Sequence, residues 1–225
     1  MTSTEDQLLS QIEQTLGSVV TSSLTRSSAG ADLYEAYVFS LILEAAAIEG
    51  ARVSFKNVDG TLPAVFTFRT SPGHLYSRTR LYSNAVVEFT DLPLLEAHTG
   101  VYLSGKSGLI HEADVLVLLA DEARTCRDND VPPRSHQALL AVECKFYSSG
   151  LQLAMARGFV GLCSDLSSRE CFFVTNTTAL SVEKLLAHQR KKWQNVMTPG
   201  STVAIERFRN AVQDTFKDFK TRYAE

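Results

Sequence analysis

Long apolar runs are missing from this sequence, and no stretch approaches the length needed to cross a lipid bilayer. The four cysteines include no Cys-x-x-Cys pair, which argues against structural zinc and against a disulfide framework. The stretch Gly100–Ser107 has the spacing Gly-x-x-x-x-Gly-Lys-Ser, but a phosphate-binding loop must lead into a helix. The apolar run that follows is typical of a strand, so an ATP-driven motor is not indicated. The formal net charge is only −3, so binding to phosphates would need local basic patches or bridging metal ions.

The length and composition fit one globular domain. The 225 residues are 44% hydrophobic, which is sufficient for a sizeable core. We expect residues 1–30 to form an N-terminal helix and hinge, opened by a capping box from Thr4 to Gln7, and residues 31–225 to form a single globular unit. The polar, acidic start of the chain is unlike a signal peptide, so we expect a cytoplasmic protein without a membrane partner.

The spacing of apolar residues predicts an α/β fold with a mixed central sheet flanked by helices. A wide apolar surface over residues 32–49 predicts a core helix that ends at Gly50. Alternation predicts strands with one exposed face at 53–55, 64–68 and 85–89, and core strands at 110–119, 139–147 and 171–175. Charged and breaker residues predict a loop over 121–135, and helical spacing predicts helices over 151–160, 181–193 and 208–222.

Two of the predicted core strands carry charged residues. Side chains alternate faces along a strand, so Glu143 and Lys145 point to one side while Cys144 points to the other. Asp114 stands where the apolar part of the upstream strand begins. If the two strands are neighbours, Asp114, Glu143 and Lys145 converge at one end of the sheet, where they would form a divalent-metal and water-activation site. The simpler interpretation is an ion pair between Glu143 and Lys145 at a strand end.

The order Ala113–Asp114, then Glu143–Cys144–Lys145, resembles the PD-(D/E)xK, or restriction-endonuclease-like, nuclease superfamily. A second triplet, Asp218–Phe219–Lys220, lies in a stretch with helical periodicity and is interpreted as a solvated helix face. The resemblance implies a restriction-endonuclease-like core that hydrolyses phosphodiester bonds with Mg²⁺ or Mn²⁺. DNA is the favoured substrate, and restriction, phage defence or repair are the expected roles of an endonuclease of this kind.

The resemblance also assigns roles to individual residues. Asp114 and Glu143, with Cys144 or a neighbouring backbone carbonyl, would hold the metal. Lys145 would orient or deprotonate the attacking water, or hold a phosphate oxygen. Glu35, near the start of the predicted core helix, would be a further catalytic and metal-site carboxylate. Acidic residues are also common near helix N-termini without any catalytic purpose, because the helix dipole favours them there.

Residues with weaker signals complete the predicted site. Glu112 would be a supporting ligand. Arg190, Lys191 and Lys192 form a basic run that would attract phosphates, with Trp193 placed to stack on a base, although a solvated helix face explains the run equally well. The further candidate substrate-binding residues are His111, Gln152 and Arg157.

Two other functions remain open at this stage. One is a catalytically inactive domain of the same fold that binds nucleic acid or a protein partner. The other is a different hydrolase in which Asp114, Glu143 and Lys145 are not neighbours in space. No appended reader domain is visible, so target choice by a nuclease would rest on its own loops, on homodimerisation or on a partner protein.

Overall fold

The computed structural model describes residues 3–18 and 20–223. Its helices are α1 (Thr4–Leu16), α2 (Gly30–Ile48), α3 (Ala120–Asn129), α4 (Leu153–Asp165), α5 (Leu180–His188) and α6 (Thr202–Tyr223). Its strands are β1 (Thr21–Ser22), β2 (Arg52–Asn57), β3 (Val65–Phe66), β4 (Ser83–Glu88), β5 (Leu95–Ser104), β6 (Ile110–Leu119), β7 (Ala138–Lys145), β8 (Glu170–Thr175) and β9 (Lys192–Gln194). No helix within the described ranges is long and apolar enough to cross a membrane.

A central sheet of seven strands organises the molecule. The strand order is β2-β4-β5-β6-β7-β8-β9, antiparallel from β2 to β7 and parallel from β7 to β9. β1 and β3 form a separate parallel pair. The parallel pairing of β7 with β8 is made possible by the α4 crossover, because parallel neighbours need a long connection. The predicted mixed α/β sheet flanked by helices is confirmed in this coarse form.

Helix α2 is the centre of the larger core, as its apolar sequence predicts. The predicted stripe of Leu33, Tyr37, Leu41 and Ala45 is fully buried, together with most other side chains of the helix. Gly50 follows the helix end with φ of 91°. Glycine adopts this left-handed backbone conformation without steric cost. A helix apolar on nearly all sides is stabilised by tertiary packing rather than by an amphipathic face.

The N-terminal helix α1 packs onto this same core. Leu8, Ile12 and Leu16 are buried in one cluster with the apolar side chains of α2 and α6. Glu44 of α2 accepts a hydrogen bond from Thr15 at 3.2 Å and pairs with Arg209 of α6 at 3.0 Å. These contacts make Glu44 a structural junction of three helices. The N-terminus of α1 is capped by Ser3, whose hydroxyl accepts a hydrogen bond from the N–H of Asp6 at 3.2 Å. The predicted capping box from Thr4 to Gln7 does not form this cap.

The predicted loop over 121–135 is wrong in its first half. Helix α3 spans Ala120–Asn129, because Asp121, Arg124 and Asp128 face solvent while Ala123 and Cys126 are buried against the second face of the sheet. Asp130, with φ of 53°, ends it in the left-handed conformation. Pro132 and Pro133 therefore lie beyond the end of α3, where they do not interrupt the helix.

The predicted helix over 181–193 is wrong beyond His188. Arg190 has φ of 51° and turns the chain, so that β9 can pair in parallel with β8. Two strands also differ from prediction. β4 is buried at every position except its last, with no exposed face, and the strand predicted at 64–68 is reduced to Val65–Phe66. The ten-residue strand β5 has no counterpart among the predicted strands.

Candidate functional site

The candidate site lies where β6 and β7 separate. Their antiparallel ladder ends at the pair Val115 and Val142. Beyond that pair, the carboxylate of Asp114 accepts the backbone N–H of Cys144 at 2.6 Å and so replaces the lost ladder partner. Only 6% of Asp114 is exposed. This carboxylate is therefore fixed by the fold at the point where the two strands diverge.

Lys145 connects the two predicted metal-binding carboxylates. Its Nζ lies 2.6 Å from Oε1 of Glu143 and 3.8 Å from Oδ2 of Asp114. The two carboxylate oxygens are thus no farther apart than the sum of these distances. The structure brings together the three residues that the sequence places on adjacent strands. The expectation that these three residues are not neighbours in space, which belonged to the alternative hydrolase, is therefore wrong.

Asp114 lies where the side chains of β6 change their alternation between the two faces of the sheet. Val115 belongs to the apolar cluster around α2, whereas Ala113 and Leu116 belong to the cluster on the opposite face. Regular alternation would place Ala113 and Val115 on the same side, so the alternation is interrupted at Asp114. This interruption allows one carboxylate to meet Lys145 and also to influence Glu35 of α2.

Helix α2 is held close to the end of β7. Gly30 begins the helix against Phe146, and a Cβ at this position would lie 2.7 Å from the Phe146 ring. Tyr34 packs on the same ring, with 5.2 Å between the ring centroids. Glu35, one residue further along, is half-buried beside the site. The close approach of α2 explains why the charge of Asp114 raises the pKa of Glu35, although the two residues are distant in sequence.

Burial and like charge keep protons on the carboxyls of this site. Burial, with the charge of Glu143 in addition, raises the pKa of Asp114 to about 7. Burial, with the charge of Asp114 in addition, raises the pKa of Glu35 to about 9. Burial also raises the pKa of Glu112, with Glu143 contributing. The site therefore has more carboxyls than its own positive charge can neutralise.

Lys145 supplies the positive charge of the site. Burial opposes its charged form, but the adjacent carboxylates of Glu143 and Asp114 outweigh that effect and raise its pKa. Lys145 is consequently an ammonium ion at neutral pH. It can donate hydrogen bonds to a water or a phosphate oxygen, and it cannot serve as a general base in this state.

The donor set fits a hard divalent cation bound largely through water. Mg²⁺ in proteins is commonly held by one or two carboxylates, with waters completing its octahedron. Within residues 3–18 and 20–223, no three His, Cys, Asp or Glu side chains form a metal-binding group by themselves. Asp114 and Glu143 would thus be the direct ligands, with Glu35 and Glu112 placed to act through water. The thiol of Cys144 is buried in the apolar core, which leaves its backbone as its only hard donor.

Asp32 and Asn176 also shape this region. Asp32 lies one helical turn before Glu35, and its charge contributes to the raised pKa of Glu35. The Asp-x-x-Glu spacing would have indicated this pair. Asn176, at the end of β8, accepts the N–H of Tyr147 at 2.9 Å and donates to its carbonyl at 3.0 Å. These bonds hold the chain that leaves β7 just after Lys145.

The predicted substrate-binding residues on β6 and α4 have other surroundings. His111 lies 2.6 Å from Oδ2 of Asp165. The same carboxylate accepts two hydrogen bonds from Ser107, one from its hydroxyl and one from its backbone N–H. His111 therefore anchors the β5–β6 turn to the end of α4. Gln152 is the N-cap residue of α4 and is exposed, and Arg157 is exposed on the same helix.

The basic run lies at the far edge of the sheet and not on a helix. Lys192 is two strands away from β7 in the sheet order, a lateral distance of about 10 Å. It pairs with Glu170 at 2.9 Å, and Trp193 is half-buried against the cluster between α4, α5 and β8. Arg190 and Lys191 border a separate cavity at the start of β8. The run and the carboxylate site are therefore distinct places on the molecule.

Comparison with known proteins gives no relative from which a function could be transferred. No protein-family model matches the chain, and no curated protein or solved structure matches it.

Proposed function

We propose that this chain is a metal-dependent nuclease with a restriction-endonuclease-like core of the PD-(D/E)xK type. The reaction is the hydrolysis of phosphodiester bonds, with DNA as the favoured substrate. The observation that carries the proposal is the Lys145 ammonium held within 3.8 Å of carboxylates from two strands that separate at this point. Charged groups of both signs, partly withdrawn from water, are typical of catalytic sites.

Each residue of the site has a distinct part in this reaction. Asp114 and Glu143 bind the cation, which when present lowers the pKa of water and stabilises charge on the phosphate. Lys145 donates hydrogen bonds to the attacking water or to a phosphate oxygen and thereby orients them. Glu35 retains its proton near neutral pH in the metal-free protein, as its pKa of about 9 implies, and can donate a hydrogen bond from α2.

Cleavage assays test the proposal directly. Purified protein is incubated with supercoiled, linear and single-stranded DNA in the presence of Mg²⁺, Mn²⁺ or EDTA. We expect metal-dependent cutting that Glu143→Gln and Lys145→Ala each reduce by at least about 10²-fold, because each removes a charge that stabilises the transition state. The preferred DNA form separates endonuclease from exonuclease action.

A matched control comes from the second triplet of the chain. Asp218 on α6 occupies the acidic position of the triplet Asp218–Phe219–Lys220, and it is exposed to solvent. Asp218→Asn should cut at the wild-type rate, which would show that the triplet alone is not sufficient. Equal activity in Glu143→Gln and in wild type would overturn the proposed site.

Metal binding should depend on pH in a defined direction. The carboxylate form of Asp114 binds the cation, and its pKa is raised to about 7, so protons compete with metal below that pH. We expect Mg²⁺ affinity to rise by up to about tenfold per pH unit below pH 7 for each proton displaced. Calorimetry in two buffers of different ionisation enthalpy measures the protons released.

Glu35→Gln separates the two carboxyls in this experiment. The variant should keep the rise in affinity up to about pH 7, and it should lose any further rise towards the pKa of Glu35, about 9. An Mg²⁺ affinity that is constant between about pH 6 and 8 would contradict the assignment of Asp114 as a ligand.

A second function is favoured by the ion pair itself. Lys145 already neutralises part of the charge of Glu143 and Asp114, and Asp114 already satisfies a backbone N–H. Such a closed arrangement also suits a catalytically inactive domain that binds nucleic acid or a protein partner. That alternative predicts binding to DNA without cleavage, and binding that is unchanged by Glu143→Gln.

A further inference from the structure

Two of the four cysteines share a basic cavity at the edge of the sheet. The cavity has a volume of about 220 Å³ and lies beside the start of β8 and the turn before β9. Cys163 of α4 and Cys171 of β8 both line it, together with four basic side chains. Its full lining is Cys163, Ser168, Arg169, Glu170, Cys171, Arg190, Lys191 and Lys192.

The two thiols are accessible, in contrast to the other two cysteines. Cys163 and Cys171 are half-buried, whereas Cys126 and Cys144 are buried in apolar clusters. Both accessible cysteines pack on the apolar cluster between α4, α5 and β8, in which Phe159 and Phe173 are 5.3 Å apart. The close packing of α4 on β8 places the two side chains at the same end of this layer.

The surroundings of Cys171 favour its thiolate form. The hydroxyl of Ser168 lies 3.0 Å from its sulfur. Hydrogen bonding from the thiol of Cys163, with that of Ser168 and the charge of Lys191 in addition, lowers the pKa of Cys171 to about 7 despite its burial. The same interaction raises the pKa of Cys163, which therefore keeps its proton. The pair thus combines one ionised sulfur with one protonated neighbour.

We propose that Cys163 and Cys171 form a peroxide-sensitive thiol pair that closes to a disulfide across this cavity. The Cys171 thiolate attacks hydrogen peroxide, an S–O bond forms, the O–O bond breaks, and hydroxide leaves. The sulfur of Cys163, having lost its proton to that hydroxide, then attacks the sulfenic acid and an S–S bond forms. The second oxygen leaves as hydroxide and is protonated to water, so the two sulfurs give up two electrons and peroxide is reduced to two waters.

The accessible and buried cysteines allow the test to be made within one protein. The native protein is treated with hydrogen peroxide, free thiols are blocked, and the peptides are analysed by mass spectrometry. We expect a Cys163–Cys171 cross-linked peptide that disappears on reduction with dithiothreitol, with Cys126 and Cys144 still as free thiols. Cys171 should react about tenfold faster than an ordinary thiol, since a thiol of normal pKa is only a few per cent ionised at neutral pH.

Single substitutions assign the two roles. In Cys163→Ser the oxidised Cys171 has no partner, so a sulfenic acid should accumulate and be trapped by dimedone. In Cys171→Ser, peroxide should leave Cys163 reduced, because burial still raises the pKa of Cys163 after the hydrogen bond with Cys171 is lost. Oxidation of Cys163 at the wild-type rate in Cys171→Ser would overturn the proposal, and so would a wild-type protein in which dimedone labels Cys171 without any cross-link. These readouts do not depend on nuclease activity.

Discussion

Asp114→Asn is expected to lower metal-dependent DNA cleavage by about 10³-fold. The substitution keeps the shape of the side chain and an oxygen that can accept the N–H of Cys144, which lies 2.6 Å away in the native protein. It removes the negative charge that would bind the cation. Charge stabilisation by a metal contributes several kcal/mol, and each 1.36 kcal/mol corresponds to about a factor of ten in rate. Single-turnover cleavage of a labelled duplex measures the loss.

The same substitution should stabilise the metal-free protein. An acid whose folded pKa is raised destabilises the fold once the pH exceeds its unfolded pKa, and the penalty is complete above the folded pKa, here about 7. Asparagine carries no such penalty. We expect Asp114→Asn to gain at least about 1 kcal/mol at pH 8, which is about 2–4 °C in Tm for a chain of this size. Thermal unfolding in EDTA measures the gain.

Asp114→Ala provides the control that separates charge from hydrogen bonding. Alanine removes the charge and also leaves the N–H of Cys144 without its partner, at a cost of about 1–3 kcal/mol. The alanine variant should therefore be less stable than the asparagine variant and equally inactive. If Asp114→Asn cuts DNA at the wild-type rate, Asp114 only satisfies the end of the strand, and the nuclease proposal loses its first ligand.

The local part of the site could be predicted because it depends on alternation within one strand. Glu143 and Lys145 are two residues apart in β7, and their shared face follows from strand geometry without knowledge of the fold. Their contact with Asp114 required the pairing of β6 with β7, which the two apolar runs suggested. The influence of Asp114 on Glu35 depends on the interruption of alternation at Asp114, and no periodic pattern indicates such an interruption.

The largest errors in the predicted fold share a physical cause. Strand β5 carries Glu96, His98 and Thr99 among its buried residues, so its sequence does not alternate as a strand with one apolar face should. Half of the residues of helix α3 are charged, so its sequence resembles a loop. The two elements are joined by Arg127 of α3, which forms two hydrogen bonds with Glu96, each of 2.8 Å. The polar residues that hide each element from sequence patterns are therefore explained by contacts with the other element.

A single residue explains the error in the basic segment. The sequence from Ser181 to Trp193 has no proline or glycine that would end a helix. The helix nevertheless ends at His188, and Arg190 adopts the left-handed conformation that a non-glycine residue takes up rarely. Pairing of β9 with β8 offsets the local cost of that conformation. Tertiary contacts of this kind override local propensity and leave no mark in a single sequence.

Removal of the Arg127 guanidinium is expected to produce the largest loss of stability among these variants. Glu96 is 7% exposed and His98 is 0% exposed, and their side chains are 3.0 Å apart. Burial disfavours the charged form of Glu96, but hydrogen bonds from Arg127 and His98 outweigh it and lower the pKa to about 2. Arg127→Met would leave a buried carboxylate without its main partner. We expect a loss of about 3–5 kcal/mol in the free energy of unfolding, measured in urea at neutral pH.

The pH dependence and two further variants identify the cause of this loss. The wild-type ion pair stabilises the fold above the unfolded pKa of Glu96 and loses its effect as the pH falls towards the folded pKa of about 2. In Arg127→Met the carboxyl can take up a proton more readily, so the difference from wild type should shrink at about pH 4. Glu96→Gln combined with Arg127→Met should recover part of the loss, because no buried charge remains.

Arg124 of the same helix pairs with Asp121, and both are largely exposed, so Arg124→Met should change stability by no more than about 0.5 kcal/mol. Equal losses in Arg124→Met and Arg127→Met would mean that α3 is stabilised by general helix packing and that the buried pair contributes nothing of its own.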